Sequence, residues 1–259
     1  MSYMSTTLRA GNLTAVVDPL IGSRVTSLRI NDTEVLVTHG SSSLEWGLYP
    51  MAPFAGRLRR GQLQFDDTTY QLPTNNPPHA LHGTVFDAPW RIDSVSDTDI
   101  ALSTSLGTTW PFSGIVRHHI SVSPTHLRCA LSVTGEERMP IQLGWHPWFA
   151  TPDEVKWDFT SMLRRDADGI TTTERIDPAP PPVDDCFIEP NAWPRVHSSG
   201  HAWEIASDCP YWVRYDAPDS HVCIEPQSGP PNGLNTVPLI LEAGQVFSRW
   251  MEIRLVPRQ

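Results

Sequence analysis

Hydrophobicity in this chain repeats every second residue almost wherever a repeat can be read, which puts successive side chains on opposite faces of extended strands. Val116-Arg117-His118-His119-Ile120-Ser121-Val122 and Leu127-Arg128-Cys129-Ala130-Leu131-Ser132-Val133 alternate in this way, and Pro124-Thr125 between them reads as a hairpin turn. The run from Phe247 to Leu255 sets Phe247, Met251, Ile253 and Leu255 on one face. Asp66-Asp67 separates Leu63-Gln64-Phe65 from Thr69-Tyr70-Gln71-Leu72, and Asn31-Asp32 marks another tight turn. No dozen residues sustain a 3.6-residue stripe, and 25 prolines, about twice the usual share, would interrupt most helices. Many short strands without intervening helices predict an all-β fold, a large antiparallel β-sandwich rather than a parallel α/β sheet. The proline-rich segment from Asp177 to Asp185, flanked by strand-like sequence, is predicted to be a stiff loop within a single domain spanning residues 1-259.

Charge and composition narrow the class of partner. A formal net charge of −10 argues against nucleic acid or an anionic membrane, both of which select basic patches. No apolar run approaches the roughly 18 residues of a membrane span, and Met1 to Ala10 carries no secretory pattern, so a cytoplasmic protein is expected. The four cysteines, Cys129, Cys186, Cys209 and Cys223, form no CxxC pair, which makes a disulfide framework or zinc ribbon a poor reading. Cys129 and Cys223 sit in apolar alternating segments and are expected in the core. A small neutral molecule is the expected partner, and the chain is expected to be a monomer or a homodimer.

Four segments pair ionisable side chains with rigid surroundings. In Val222-Cys223-Ile224-Glu225-Pro226-Gln227-Ser228-Gly229-Pro230-Pro231, a carboxylate ends an apolar strand and enters a loop where Gly229 permits an unusual φ. Glu225 is therefore a poised proton acceptor or a solvated loop acid. Leu143-Gly144-Trp145-His146-Pro147-Trp148-Phe149 traps a histidine between tryptophans, as a core histidine or as a proton carrier near neutrality. Aromatic rings beside a polar group also suit a sugar, whose C–H face packs on a ring while its hydroxyls need fixed partners. Gly56-Arg57-Leu58-Arg59-Arg60-Gly61 offers arginines for an anion or for solvent, and Pro77-Pro78-His79-Ala80-Leu81-His82-Gly83 offers two histidines without a third ligand nearby, weak evidence for zinc.

The order of these segments, with Gly56-Arg57-Leu58 and Gly61 first, then Leu81-His82-Gly83 with Trp90, His146-Pro147-Trp148-Phe149, Asp184-Asp185-Cys186-Phe187 and Glu225-Pro226-Gln227 with Asn235, resembles the aldose 1-epimerase (galactose mutarotase) family. The resemblance runs from about Ala10 to Leu255, and Leu13 to Leu36 resembles that family's first strands. It implies a galactose mutarotase-like β-supersandwich, with Glu225 as general base, His146 as general acid and His82 as a second histidine at the sugar. It further implies that Arg57 and Asp184 hold hydroxyls, with Trp148 and Gln227 as additional substrate contacts, and that neither a cofactor nor a metal is used. Gly56 stands where the family usually has Asn, and Trp148 where it usually has Tyr; the loop after Glu225 is unusually rich in Gly and Pro. Three other readings are a hexose-6-phosphate 1-epimerase using Arg59, Arg60 or Arg117 at the rim, a non-catalytic carbohydrate-binding domain, and a metal enzyme using His79, His82 and Glu225.

Overall fold

A computed structural model describes residues 5–217 and 220–257. Among them, two large antiparallel sheets of eleven and eight strands hold most of the strand residues, with three further two-stranded ribbons. The alternating segments become strands where the period-2 pattern predicts them. Gly114–Val122 and His126–Gly135 form the hairpin around Pro124, and Val246–Val256 pairs with the second of these so that Cys129 faces Met251. Gln62–Phe65 and Thr68–Gln71 close over Asp66, and Arg24–Ile30 turns at Asn31 into Thr33–Glu34. The only α-helical segment among the described residues is the single turn Gly233–Thr236.

Six strands run side by side through the eleven-stranded sheet in the order Leu48–Met51, Gly144–Ala150, His221–Gln227, Tyr211–Tyr215, Asp184–Pro190 and Phe159–Arg165. Their alternation sorts side chains onto two faces. Trp145, Phe149, Val222, Ile224, Phe187 and Trp212 join one buried cluster with Ile120, Leu131, Met251 and Ile253 of the other sheet, so both sheets enclose a common core. Cys129 is buried there, and Cys223 in a smaller cluster on the opposite face. No helix is long and apolar enough to cross a membrane among the described residues.

The proline-rich stretch joins Thr171–Ile176 to Asp184–Pro190, two strands that flank Phe159–Arg165 in the same sheet. Its predicted end needs a correction, because Asp184 and Asp185 already belong to a strand, paired with Tyr215 and Arg214. The expectation for Glu225 needs another: it lies inside His221–Gln227, across from Val213 of the neighbouring strand, and not in a loop. Gly229 is also not a left-handed position; a side chain there would meet Gln142 Nε2 at 2.2 Å, so the glycine supplies room rather than an unusual φ.

Candidate active site

The second face of those six strands carries the polar residues, one step out of phase with the core. Cys223, Glu225 and Gln227 alternate with Val222, Ile224 and Pro226, just as His146 and Trp148 alternate with Trp145 and Phe149. A cavity of about 250 Å³ opens on this face, lined by His82, His146, Glu225, Gln227, Arg57 and Asp184 among others. Trp148 lines it too, so all seven residues expected at the site converge on one cavity.

Glu225 and His146 meet at the cavity floor. His146 Nε2 lies 3.1 Å from Glu225 Oε1, and both side chains are nearly inaccessible, at 6% and 4% exposure. Gln227 donates from Nε2 to the other carboxylate oxygen at 3.0 Å. The imidazole is held flat between Tyr49 and Trp148, with ring centroids 4.9 and 5.1 Å away and interplanar angles of 22° and 14°. Beneath Tyr49, the fully buried Arg24 guanidinium stacks on the phenol at 4.5 Å and donates to the carbonyls of Trp46, Ser43 and Phe86. Arg24, Tyr49, His146 and Trp148 thus form a pile that fixes the ring plane.

Burial sets the protonation of the pair. It disfavours charge on either partner, pushing the Glu225 carboxyl well above the usual carboxylate range, with the nearby Asp184 charge adding to the rise. The same burial, with His82 and Arg24 nearby, pulls His146 well below the ordinary imidazole value. The two groups are therefore best described as one unit that shares a single proton across their 3.1 Å contact over a wide pH interval.

His82 is fixed from behind. It adopts a left-handed backbone at φ +60°, its N–H donates to the Gly56 carbonyl at 3.1 Å, and the Gly56 N–H donates to His82 Nδ1 at 3.3 Å. A backbone N–H can only donate, so Nδ1 carries the lone pair and neutral His82 carries its proton on Nε2. Burial, aided by the Arg57 charge, lowers the His82 pKa to about 3 and keeps it neutral. Its ring meets His146 edge-on, with centroids 4.8 Å apart.

Arg57 donates to Asp184 Oδ2 at 2.9 Å, and a residue that carries no local sequence signal completes the cluster. Arg165, at the end of Phe159–Arg165, approaches Asp184 Oδ2 at 3.3 Å and Asp185 Oδ1 at 3.7 Å, and also donates to the Asp184 carbonyl. Asp185 and Tyr215 line the cavity as well. Arg165 follows Arg164 in what reads as an ordinary charged strand end, while Tyr49 sits seven residues before the Gly56 segment that drew attention to Arg57. Only the order of strands brings them in.

The remaining candidates lie elsewhere. His79 accepts from the Arg60 N–H at Nδ1 and places Nε2 3.3 Å from the Asp168 carbonyl, so it is occupied in holding a turn and the proposed His79-based metal set falls. The three donors that do converge are His82, His146 and Glu225, with ligand atoms within 4.8 Å of one another. Arg59 is paired with Asp166 and Asp168; Arg60 and Arg117 do not line the cavity.

The departures at Gly56 and after Glu225 share one cause. Gly56 has φ +69°, and a Cβ there would lie 2.8 Å from the Pro231 ring. A Pro-rich loop packed this closely on the segment preceding Arg57 excludes any side chain at position 56. Gly56→Asn is expected to destabilise the fold by about 1–3 kcal/mol through overpacking, with the companion Pro231→Gly recovering most of the loss. Urea midpoints of the two single variants and the double variant check this; additive losses would contradict the coupling.

The chain matches the sequence profile described as aldose 1-epimerase over residues 4–254. It belongs to the aldose 1-epimerase family. Three solved structures share the fold of this aldose 1-epimerase family member at low identity. A putative aldose 1-epimerase of Escherichia coli K12 superposes with a TM-score of 0.87 at 20% identity, covering 98% of this chain and 99% of that one. A galactose mutarotase-like protein of Clostridium acetobutylicum gives 0.81 at 17% identity, covering 97% and 95%. The galactose 1-epimerase of Lactobacillus acidophilus NCFM gives 0.81 at 15%, covering 97% and 94%. Among curated proteins, the uncharacterised YphB of Escherichia coli K12 is 30% identical over 136 residues, 48% of this chain and 45% of that protein. This family member therefore matches about half the length of that relative. The all-β supersandwich agrees with the family assignment.

Proposed function

We propose that this protein interconverts the α and β anomers of a neutral aldose, with Glu225 and His146 as the proton-transfer pair. The observation that carries the reading is the buried 3.1 Å contact between His146 Nε2 and Glu225 Oε1 at the cavity floor. Ring opening takes the proton from the anomeric hydroxyl and delivers one to the ring oxygen as the bond from C1 to that oxygen breaks. The unit's one proton serves both transfers: with it on His146 and Glu225 a carboxylate, Glu225 accepts from the hydroxyl while His146 donates to the ring oxygen, which leaves the proton on Glu225 and His146 neutral. The aldehyde turns about its C1–C2 bond, and reclosure on the other face runs the same transfers backwards, restoring the starting proton count. Each step moves only protons and one C–O bond pair, so the cycle asks for no cofactor. Neutral His82, with its proton on Nε2, is a donor for a sugar oxygen. Arg57 and Asp184 supply a donor and an acceptor for hydroxyls, and Trp148 gives a ring for the C–H face.

The charge arrangement favours an unphosphorylated sugar. Arg57 and Arg165 both face the cavity, yet Asp184 and Asp185 already counter them, and Glu45 adds a further negative charge to the lining. A phosphate would find no uncompensated cation there. Convergence of His82, His146 and Glu225 within 4.8 Å also gives a metal-assisted version of the site a geometric footing.

Anomer-exchange NMR over free hexoses, pentoses and hexose 6-phosphates tests the reading. Catalysed exchange of free sugars that survives exhaustive chelation is the expected result; preference for the 6-phosphates, or loss of activity with the metal, would replace it with one of the alternatives. Sugar binding in calorimetry without any exchange would leave only a binding domain. The same assay carries a pH prediction. Because the second proton is taken up only well below the ordinary imidazole value and the last is lost only well above the carboxylate range, kcat/KM should pass smoothly through about pH 6.5. An inflection there would show that His146 titrates independently of Glu225.

A further inference from the structure

A second cavity, of about 430 Å³, adjoins the first on the same face of the sheet. The two share one floor. Leu163, Cys186, Ile188 and Val213, with Tyr211 packed against them, form a single apolar cluster separate from the main core. Cys186 and Val213 line the first cavity, whereas Leu163, Ile188 and Tyr211 line the second. The walls continue likewise: Pro231 and Thr171 border the first, Pro230 and Thr173 the second. Register fixes the distance between them. Val213 lies across from Glu225 and Tyr211 across from Gln227, so the second cavity begins two residues, about 7 Å, along the strand from the catalytic carboxylate.

We propose that this second cavity is a subsite for the further ring of a reducing disaccharide, and that the enzyme exchanges the anomers of such sugars in preference to free hexoses. The inference rests on the anomer-exchange reading above and adds the substrate's second ring to it. A sugar whose anomeric carbon sits at Glu225 can extend along the sheet face, past Gln227 towards Tyr211. What it meets there suits another pyranose. The half-buried phenol ring of Tyr211, flanked by Leu163 and Ile188, is a flat apolar bed for a C–H face. At the mouth, Arg175 and Glu189 form a 2.6 Å ion pair that is 62% and 49% exposed, and Thr173 stands beside them. These are partners for hydroxyls rather than for a net charge, since the arginine is already countered. Val237, 42% exposed, closes the outer edge.

Anomer-exchange rates of 1,4- and 1,6-linked reducing disaccharides, measured beside those of their reducing-end hexose, test this directly. At least one disaccharide is expected to exceed the hexose in kcat/KM by about tenfold, the factor that corresponds to 1.4 kcal/mol of added contact. Tyr211→Ala, which removes the bed, and Val237→Trp, which fills the cavity from an exposed edge and so leaves folding intact, should each erase that advantage while hexose exchange stays within about twofold. Hexose exchange as fast as that of every disaccharide would overturn the second subsite and leave the catalytic assignment standing. So would variants that depress both substrates equally. Failure to exchange hexose and disaccharide alike would remove both readings.

Discussion

Replacing Glu225 with Gln is expected to reduce catalysed anomer exchange by about 10² to 10⁴-fold while leaving the protein folded. The amide preserves shape and can still face Gln227 and His146, but it cannot accept the anomeric proton. The variant also has a thermodynamic signature. A folded-state pKa raised above the unfolded value means that the stability contributed by the protonated carboxyl is complete below the unfolded pKa, about 4.3, and declines as pH rises towards the folded value. Glutamine has nothing to ionise and escapes that decline. The Tm of the variant should therefore gain on the wild type between acid and neutral pH, in parallel with its loss of activity. Wild-type exchange rates in the Glu225→Gln protein would end the assignment of Glu225 as base, whatever the stability data show.

His146→Ala should lose a comparable 10² to 10⁴-fold in kcat, for a different reason. Here the ring-oxygen proton donor goes, and Glu225 loses its 3.1 Å contact with the imidazole while keeping the hydrogen bond from Gln227. Truncation also opens a slot between the parallel faces of Tyr49 and Trp148, of the thickness of an imidazole ring. Added imidazole is expected to restore part of the rate in His146→Ala, and none in Glu225→Gln. His146→Asn provides the check that the loss is chemical, because it fills more of the slot and still cannot donate a proton at the histidine's pKa. If His146→Ala retained full activity, the proton delivered to the ring oxygen would have to come from elsewhere, with His82 Nε2 as the nearest neutral donor.

Most of the fold and the heart of the site were legible because each is written in short-range pattern. Period-2 alternation located strands such as Gly114–Val122 and Val246–Val256, and the order of five short motifs located His82, His146, Glu225, Arg57 and Asp184. What the sequence hid is adjacency across strands. Tyr49, Arg165 and Tyr211 lie in different strands of one sheet, up to 162 positions apart in the chain, and nothing local marks any of them as neighbours of His146 or Glu225. Gly229 was misread for a related reason: its value lies in the space it leaves for Gln142, which only the folded chain brings near. The pairing of Asp184 with Tyr215 likewise turned an apparent loop acid into a strand residue facing the cavity.

The strands that line the cavity on one face are also the wall of the core, with odd and even positions assigned to opposite tasks. A single-residue insertion or deletion between Gly144 and His146, or between Val222 and Glu225, would turn that assignment inside out, sending an indole or an isoleucine into the sugar's place and a carboxylate into hydrocarbon. Length changes in these strands are therefore closed to the protein even where point changes are tolerated. New specificities must arrive by exchange of side chains in place or through the loops that rim the sheet, such as the Pro-rich turn against Gly56.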